Sequence, residues 1–111
     1  MDECATEFLT RSRLLIQKRW VDPNTQNPKT RKTLDNLGLA PHHMLEEIMN
    51  LTEDDLFDGP CPDDNPKYGG IVWIFKKKIE GFIIYIKLKI RNRSAGEDLF
   101  VMSFHVDWLV V

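Results

Sequence analysis

The sharpest alternation in the chain runs from Gly81 to Ile90, which reads GFIIYIKLKI. Successive strand side chains point to opposite faces. Phe82, Ile84, Ile86, Leu88 and Ile90 therefore form one set, and Ile83, Tyr85, Lys87 and Lys89 the other. The first set is a core stripe. The second places a phenol between an aliphatic side chain and two ammonium groups, a pattern that fits edge protection, an interaction surface or a nucleic-acid site. A period of two also marks Ile71 to Lys78 and Leu99 to Trp108, both rich in β-branched and aromatic residues. Short glycine-bearing links at 79–81 and 93–98 predict antiparallel hairpins. On the last segment, alternation assigns Phe100, Met102, Phe104, Val106 and Trp108 to the apolar face. It assigns Leu99, Val101, Ser103, His105 and Asp107 to the other, so His105 is expected on the same face as Tyr85 and Lys87.

Upstream of these strands the period is helical. Ala5, Phe8, Leu9, Leu15, Ile16 and Trp20 predict an amphipathic first helix, which the prolines and turn formers of VDPNTQNP interrupt. Thr30 is a candidate cap for a second helix ending at Leu37, with Gly38 as its left-handed stop. Pro41 suits the first turn of a third helix, whose apolar face is Met44, Leu45, Ile48, Met49 and Leu51. Thr52 and Asp55 have the spacing of a capping box. They predict one more turn, with Leu56 and Phe57 inward and Gly59-Pro60 as its end. CPDDNPKYGG reads as a loop. Helices followed by a three-stranded meander give an α+β domain with N-terminal helices packed on one face of a small antiparallel β-sheet.

A chain of 111 residues is one domain by size, spanning 1–111, and large enough for a core without disulfides or metal. No apolar run is long enough for a membrane helix. The acidic start MDECATEF lacks the features of a signal peptide, so the expected location is cytoplasmic. Cys4 and Cys61 stand alone, outside any metal or redox spacing, and read as free thiols. The net charge of −2 does not by itself suggest a polyanion partner, but its distribution is uneven. Glu46, Glu47, Glu53, Asp54, Asp55, Asp58, Asp63 and Asp64 fall in a stretch without Lys or Arg. Lys76, Lys77, Lys78, Lys87, Lys89, Arg91 and Arg93 follow, opposed only by Glu80. Local field attracts a polyanion more than total charge does.

Tyr85, Lys87 and His105 on one basic surface form a workable set for cleaving RNA without metal or other cofactor. Imidazole titrates near neutrality and serves as acid or base. An ammonium group stabilises charge on the phosphorane, and a phenol positions, stacks or relays a proton. The plainer reading is a solvated strand face whose lysines deter edge association. Lys76, Lys77, Lys78, Lys89 and Arg91 are the candidate phosphate contacts. Trp73 is a candidate base platform, although the core is the usual place for a tryptophan. His42 and His43, adjacent at a helix start, make a poor chelating pair, and DDLFDGPCPDD lacks the ligand order of a calcium loop.

The segments LDNLGL, IMNLTEDDLFDGP, VWIF, GFIIYIKLKI and VMSFH occur here in order. In that order and spacing, over about residues 30 to 108, the chain resembles the motility quorum-sensing regulator (MqsR) family of toxins. The resemblance implies a RelE/BrnT-like fold and an endoribonuclease of a type II toxin–antitoxin system. Its substrate would be single-stranded mRNA, cut without metal, and a cognate proteinaceous antitoxin would block the site. The family's strand tyrosine corresponds to Tyr85, followed by Lys87, and the basic residue after Ser-Phe is His105. The pattern carries a lysine where this chain has Asp58 and a glutamine where it has Ile74. Those departures keep open a non-catalytic RNA- or protein-binding module of the same fold. A further alternative is a structural partner that offers its sheet edge to another chain.

Overall fold

The computed structural model describes residues 3–65 and 69–107. In chain order the elements are α1 (Ala5–Gln17), β1 (Val21–Asp22), α2 (Pro28–Leu37), α3 (Pro41–Met49), a single 3-10 turn (Glu53–Asp55), β2 (Leu56–Pro62), β3 (Ile71–Ile79), β4 (Phe82–Arg93) and β5 (Gly96–Val106). The result is a small α+β fold. Among the described residues its sheet has five strands in the order β1-β5-β4-β3-β2. The expected meander is its centre, β3-β4-β5, joined antiparallel. Two strands were not anticipated. β1 runs parallel to β5, and β2 runs antiparallel to β3, so the sheet is mixed rather than purely antiparallel. β2 covers LFDGPCP, read above as a turn and a loop. Two prolines and a glycine hide it, because such residues are confined to sheet edges and bulges, and β2 is an edge with register shifts after Leu56 and Asp58. Phe57 is exposed rather than inward.

The helices end differently from expectation at two points. α1 stops at Gln17, where Arg19 takes a left-handed φ of 64°. The Trp20 N–H donates to Leu15 O, and the Arg19 N–H to Ile16 O, the paired bonds of a Schellman stop. Trp20 thus leaves the helical stripe and is exposed. Its carbonyl accepts from the Leu99 N–H as the chain enters β1. α2 starts at Pro28, capped by Asn27 rather than Thr30. Asn27 Oδ1 accepts from the Lys29 and Thr30 N–H groups. Gly38 ends α2 at φ 67°, and Pro41 opens α3, both as read from the sequence. Asp55 accepts from the Thr52 N–H, so the box forms, on a 3-10 turn.

The core lies between the helices and one sheet face. Phe8 and Leu9 of α1, Leu34 of α2, and Met44 and Ile48 of α3 meet Trp73, Phe75, Ile84, Ile86, Leu88 and Phe104. Phe8 stacks on Trp73 at 5.0 Å between centroids. Arg13 ties α1 to the end of α3 by donating to Met49 O and Leu51 O. On β4, Ile84, Ile86 and Leu88 are buried as expected and Ile90 packs partly buried against them, but Phe82 at the strand start is exposed, and β5 departs from simple alternation. Lys87 pairs with Ser103 and Leu88 with Val101, which leaves Met102 as an extra residue. This β-bulge reverses the faces on one side of it. Leu99 and Val101 are buried in the core, and Phe100 and Met102 turn outward. Beyond the bulge Phe104 and Val106 face the core as expected. The expectation for Trp108 lies outside the described residues.

Past Phe100, α2 takes over from β1 along the outer side of β5. Thr30 Oγ1 accepts from the Phe104 N–H and Thr33 Oγ1 from the Val106 N–H, each at 3.1 Å. Asn27 Nδ2 donates to Met102 O at 3.0 Å. Asn27, Thr30 and Thr33 recur every three residues along one helix face. They satisfy backbone groups that another strand would otherwise claim. No helix among the described residues is long and apolar enough to cross a membrane.

Candidate active site on the open sheet face

Cross-strand register builds the site on the sheet face opposite the core. Tyr85 pairs with His105 on one side and Lys76 on the other. One row along, Lys87 pairs with Ser103 and with Ile74, and Ile74 pairs with Asp58. The Tyr85 and His105 rings stack at 4.9 Å with 29° between their planes. Ser103 Oγ is hydrogen-bonded to His105 Nδ1. In the tautomer in which Nδ1–H donates to Ser103, His105 Nε2 carries the free lone pair, and in the other the Ser103 hydroxyl donates to Nδ1. Tyr85, Lys87 and His105 are all partly exposed, so the three side chains expected to act together do share one accessible face. Ser103 was placed on this face by alternation but not singled out. Its position two residues before His105, on the same strand face, was the available signal; that it lies opposite Lys87 came only with the register.

The surroundings favour neutral forms of both rings. Burial pushes the Tyr85 phenol above its ordinary pKa, and the carboxylates of Asp64, Asp58 and Asp107 add to the shift. Burial lowers the His105 pKa, Lys29 on α2 lowers it further, and Asp107 opposes them. Near neutrality this gives an unprotonated imidazole against a protonated phenol. Cys61 also lies near this face. Burial raises its pKa, with Asp58 and Asp64 adding and Lys87 opposing.

The candidate phosphate and base contacts divide sharply. Lys78 is exposed on β3. Lys76 is on the open face, with Nζ 2.6 Å from Asp107 and 3.7 Å from the centre of the Phe57 ring. Lys77 points to the other face, where it meets Glu47 of α3 at 3.2 Å. Lys89 is buried, and its amine and the Asp63 carboxylate sit 2.8 Å apart with both side chains 7% exposed. Arg91 is held by Asp98 and Asp22. Trp73 is in the core at 2% exposure, so its ring offers no platform to a ligand. Two pairs, Lys77–Glu47 and Lys89–Asp63, join the acidic stretch to the basic one, while Asp107, Asp22 and Asp98 from outside it hold Lys76, Arg91 and Arg93. Of the strand cations from Lys76 to Arg93, only Lys78 and Lys87 have no ion pair within 4 Å among the described residues. Beside the stacked rings, Lys87 is thus a cation with no ion pair within 4 Å among the described residues, although the carboxylates of Asp58, Asp63 and Asp64 act on the same region.

His42 and His43 have ring centres 4.0 Å apart, and His43 Nδ1 accepts from the Ala40 N–H. Among the described residues no three His, Cys, Asp or Glu side chains gather as a metal-ligand set. Cys4 and Cys61 are free thiols. Comparison with protein-family models, curated proteins and solved structures finds no match to this chain.

Proposed function

We propose that this protein is an endoribonuclease that cleaves single-stranded mRNA without a metal ion. In this reading it is the toxin of a type II toxin–antitoxin pair with a RelE/BrnT-like fold, acting in the cytoplasm and restrained by a protein antitoxin. The observation that carries the reading is the Tyr85–His105 stack on an accessible sheet face, one cross-strand row from Lys87, which makes no ion pair within 4 Å among the described residues.

The chemistry follows from the protonation states. Neutral His105 accepts the proton of the 2′-hydroxyl as its oxygen bonds to the adjacent phosphorus. The bond from phosphorus to the 5′-oxygen breaks, and the Tyr85 phenol supplies the proton that this oxygen gains. Lys87 stabilises the negative charge that builds on the phosphorane oxygens. Ser103 acts through His105 by holding the imidazole's orientation. The products are a 2′,3′-cyclic phosphate and a 5′-hydroxyl end.

A second reading, a non-catalytic RNA- or protein-binding module, has its own motivation. Asp58 and Ile74, which replace the polar residues of the family pattern, lie in the same cross-strand row as Lys87. A carboxylate near the phosphate site opposes anion binding. The two readings separate when wild type and His105→Ala are incubated with single-stranded RNA in excess EDTA. Cleavage to cyclic-phosphate ends by wild type, lost in the variant, supports the nuclease. Intact RNA, or equal cutting by both proteins, rejects it. Binding without cleavage that weakens steeply with salt supports the module.

A further inference from the structure

Further along the same face, a groove of about 750 Å³ runs beside the second half of β4. Gly70, Lys89, Arg91, Arg93, Phe100 and Met102 are among its lining residues. Its apolar wall exists because of the bulge. With unbroken alternation, Phe100 and Met102 would lie on the opposite face from His105. The extra residue brings both onto the open face, and Asn24 and Asn27 anchor the bulge through Met102 O. A bulge beside a functional face commonly re-aims side chains in this way.

Arg91 completes the wall. Its guanidinium carbon lies 4.1 Å from the Phe100 ring centre, and Asp98 and Asp22 fix its orientation. Arg93, 57% exposed and 3.7 Å from Asp98, which it shares with Arg91, lies at the same end of the groove. The groove carboxylate Asp63 is neutralised by Lys89. Phe100 is in register with Lys89, four residues along β4 from Tyr85. At the strand rise per residue that separation is about 13 Å, so one strand of nucleic acid can lie along both places.

We infer that the Phe100–Arg91 wall is a base-stacking subsite for the single-stranded RNA whose phosphate is cut at Tyr85 and His105. This rests on the nuclease reading and adds to it where the substrate is gripped away from the scissile bond. Aromatic rings and guanidinium planes both stack on unpaired bases. The subsite tolerates any base, because stacking uses the ring face, and Arg93 meets the flanking phosphate.

The test measures binding of a fluorescent single-stranded RNA by anisotropy, and its cleavage, for wild type, Phe100→Ala, Phe100→Leu and His105→Ala. Phe100→Leu keeps apolar bulk and removes only the π-face, so it remains informative if the alanine variant fails to fold. Loss of one stacked base is expected to weaken binding about ten-fold in both Phe100 variants. KM should rise while cleavage at saturating RNA stays close to wild type. Abasic substitutions scanned along the RNA should reveal one position whose loss no longer matters in Phe100→Leu. Unchanged binding in Phe100→Leu, with wild type binding and cutting RNA, overturns the subsite and leaves the nuclease reading standing. Weakened binding in a protein that binds but never cuts overturns the nuclease and keeps the subsite. Absence of RNA binding by wild type overturns both.

Discussion

Replacing Thr30 by Val tests whether α2 holds β5, and His105 with it, by hydrogen bonds rather than by packing alone. The Thr30 hydroxyl is fully buried and accepts from the Phe104 N–H, which is also buried. Valine keeps the shape and deletes the acceptor, so the change is not neutral despite the similar volume. An amide left buried without a partner costs about 1–3 kcal/mol. Thr33→Val removes the equivalent acceptor from the Val106 N–H at a similar cost. Both changes together remove about 2–6 kcal/mol of the roughly 5–15 kcal/mol typical of a domain. In urea, where m is about 1–3 kcal/mol/M, a loss of about 2 kcal/mol moves the midpoint by about 0.7–2 M. Thr30→Ser, which keeps the hydroxyl, should stay closer to wild type. Amide exchange should speed up at Phe104 and Val106, the two neighbours of His105, and cleavage should fall with it. A Thr30→Val midpoint within about 0.3 M of wild type, with exchange unchanged, would refute the argument that these side chains close the sheet edge.

Three other outcomes are expected. Asp63→Asn leaves the Lys89 charge buried without its partner and should cost about 3 kcal/mol in urea unfolding. The Asp63 carboxyl is held below its ordinary pKa, first by the Lys89 hydrogen bond. Its contribution is therefore complete above about pH 4, the unfolded value. It disappears as pH falls through the lower folded value, so the variant should show a flatter stability profile there. For His105, with its pKa depressed by burial and then by Lys29, the acid limb of kcat/KM should lie below about pH 6.5. It should move upward in Lys29→Ala, and a limb that stays in place would exclude Lys29 as a cause. Gly59→Ala should lose at least about 2 kcal/mol by thermal or urea unfolding. At φ 115° an added Cβ would stand 2.8 Å from Val72 O and 3.1 Å from Trp73 Cα, and neither backbone atom can swing aside.

The sequence alone determined the local elements whose patterning is dense. Tyr85 and Lys87 share a face because the strand pleat has a period of two and the run from Phe82 to Ile90 has no interruption. Gly38 and Pro41 mark helix ends because each constrains its own backbone. His105 fell on the expected face because the bulge lies before it. Phe100 and Met102 did not, because one unpaired residue reverses alternation without leaving a mark in composition. β2 stayed hidden because an edge strand with two prolines is defined by its partner, not by its own period. Only the tertiary structure decided the charge pattern. Asp63 and Lys89 are 26 residues apart, and the distance that turns a basic strand into a neutral ion pair depends on the path of the whole chain. That path leaves Lys87 without an ion pair within 4 Å, among the described residues, beside Tyr85 and His105, a selection no local pattern encodes.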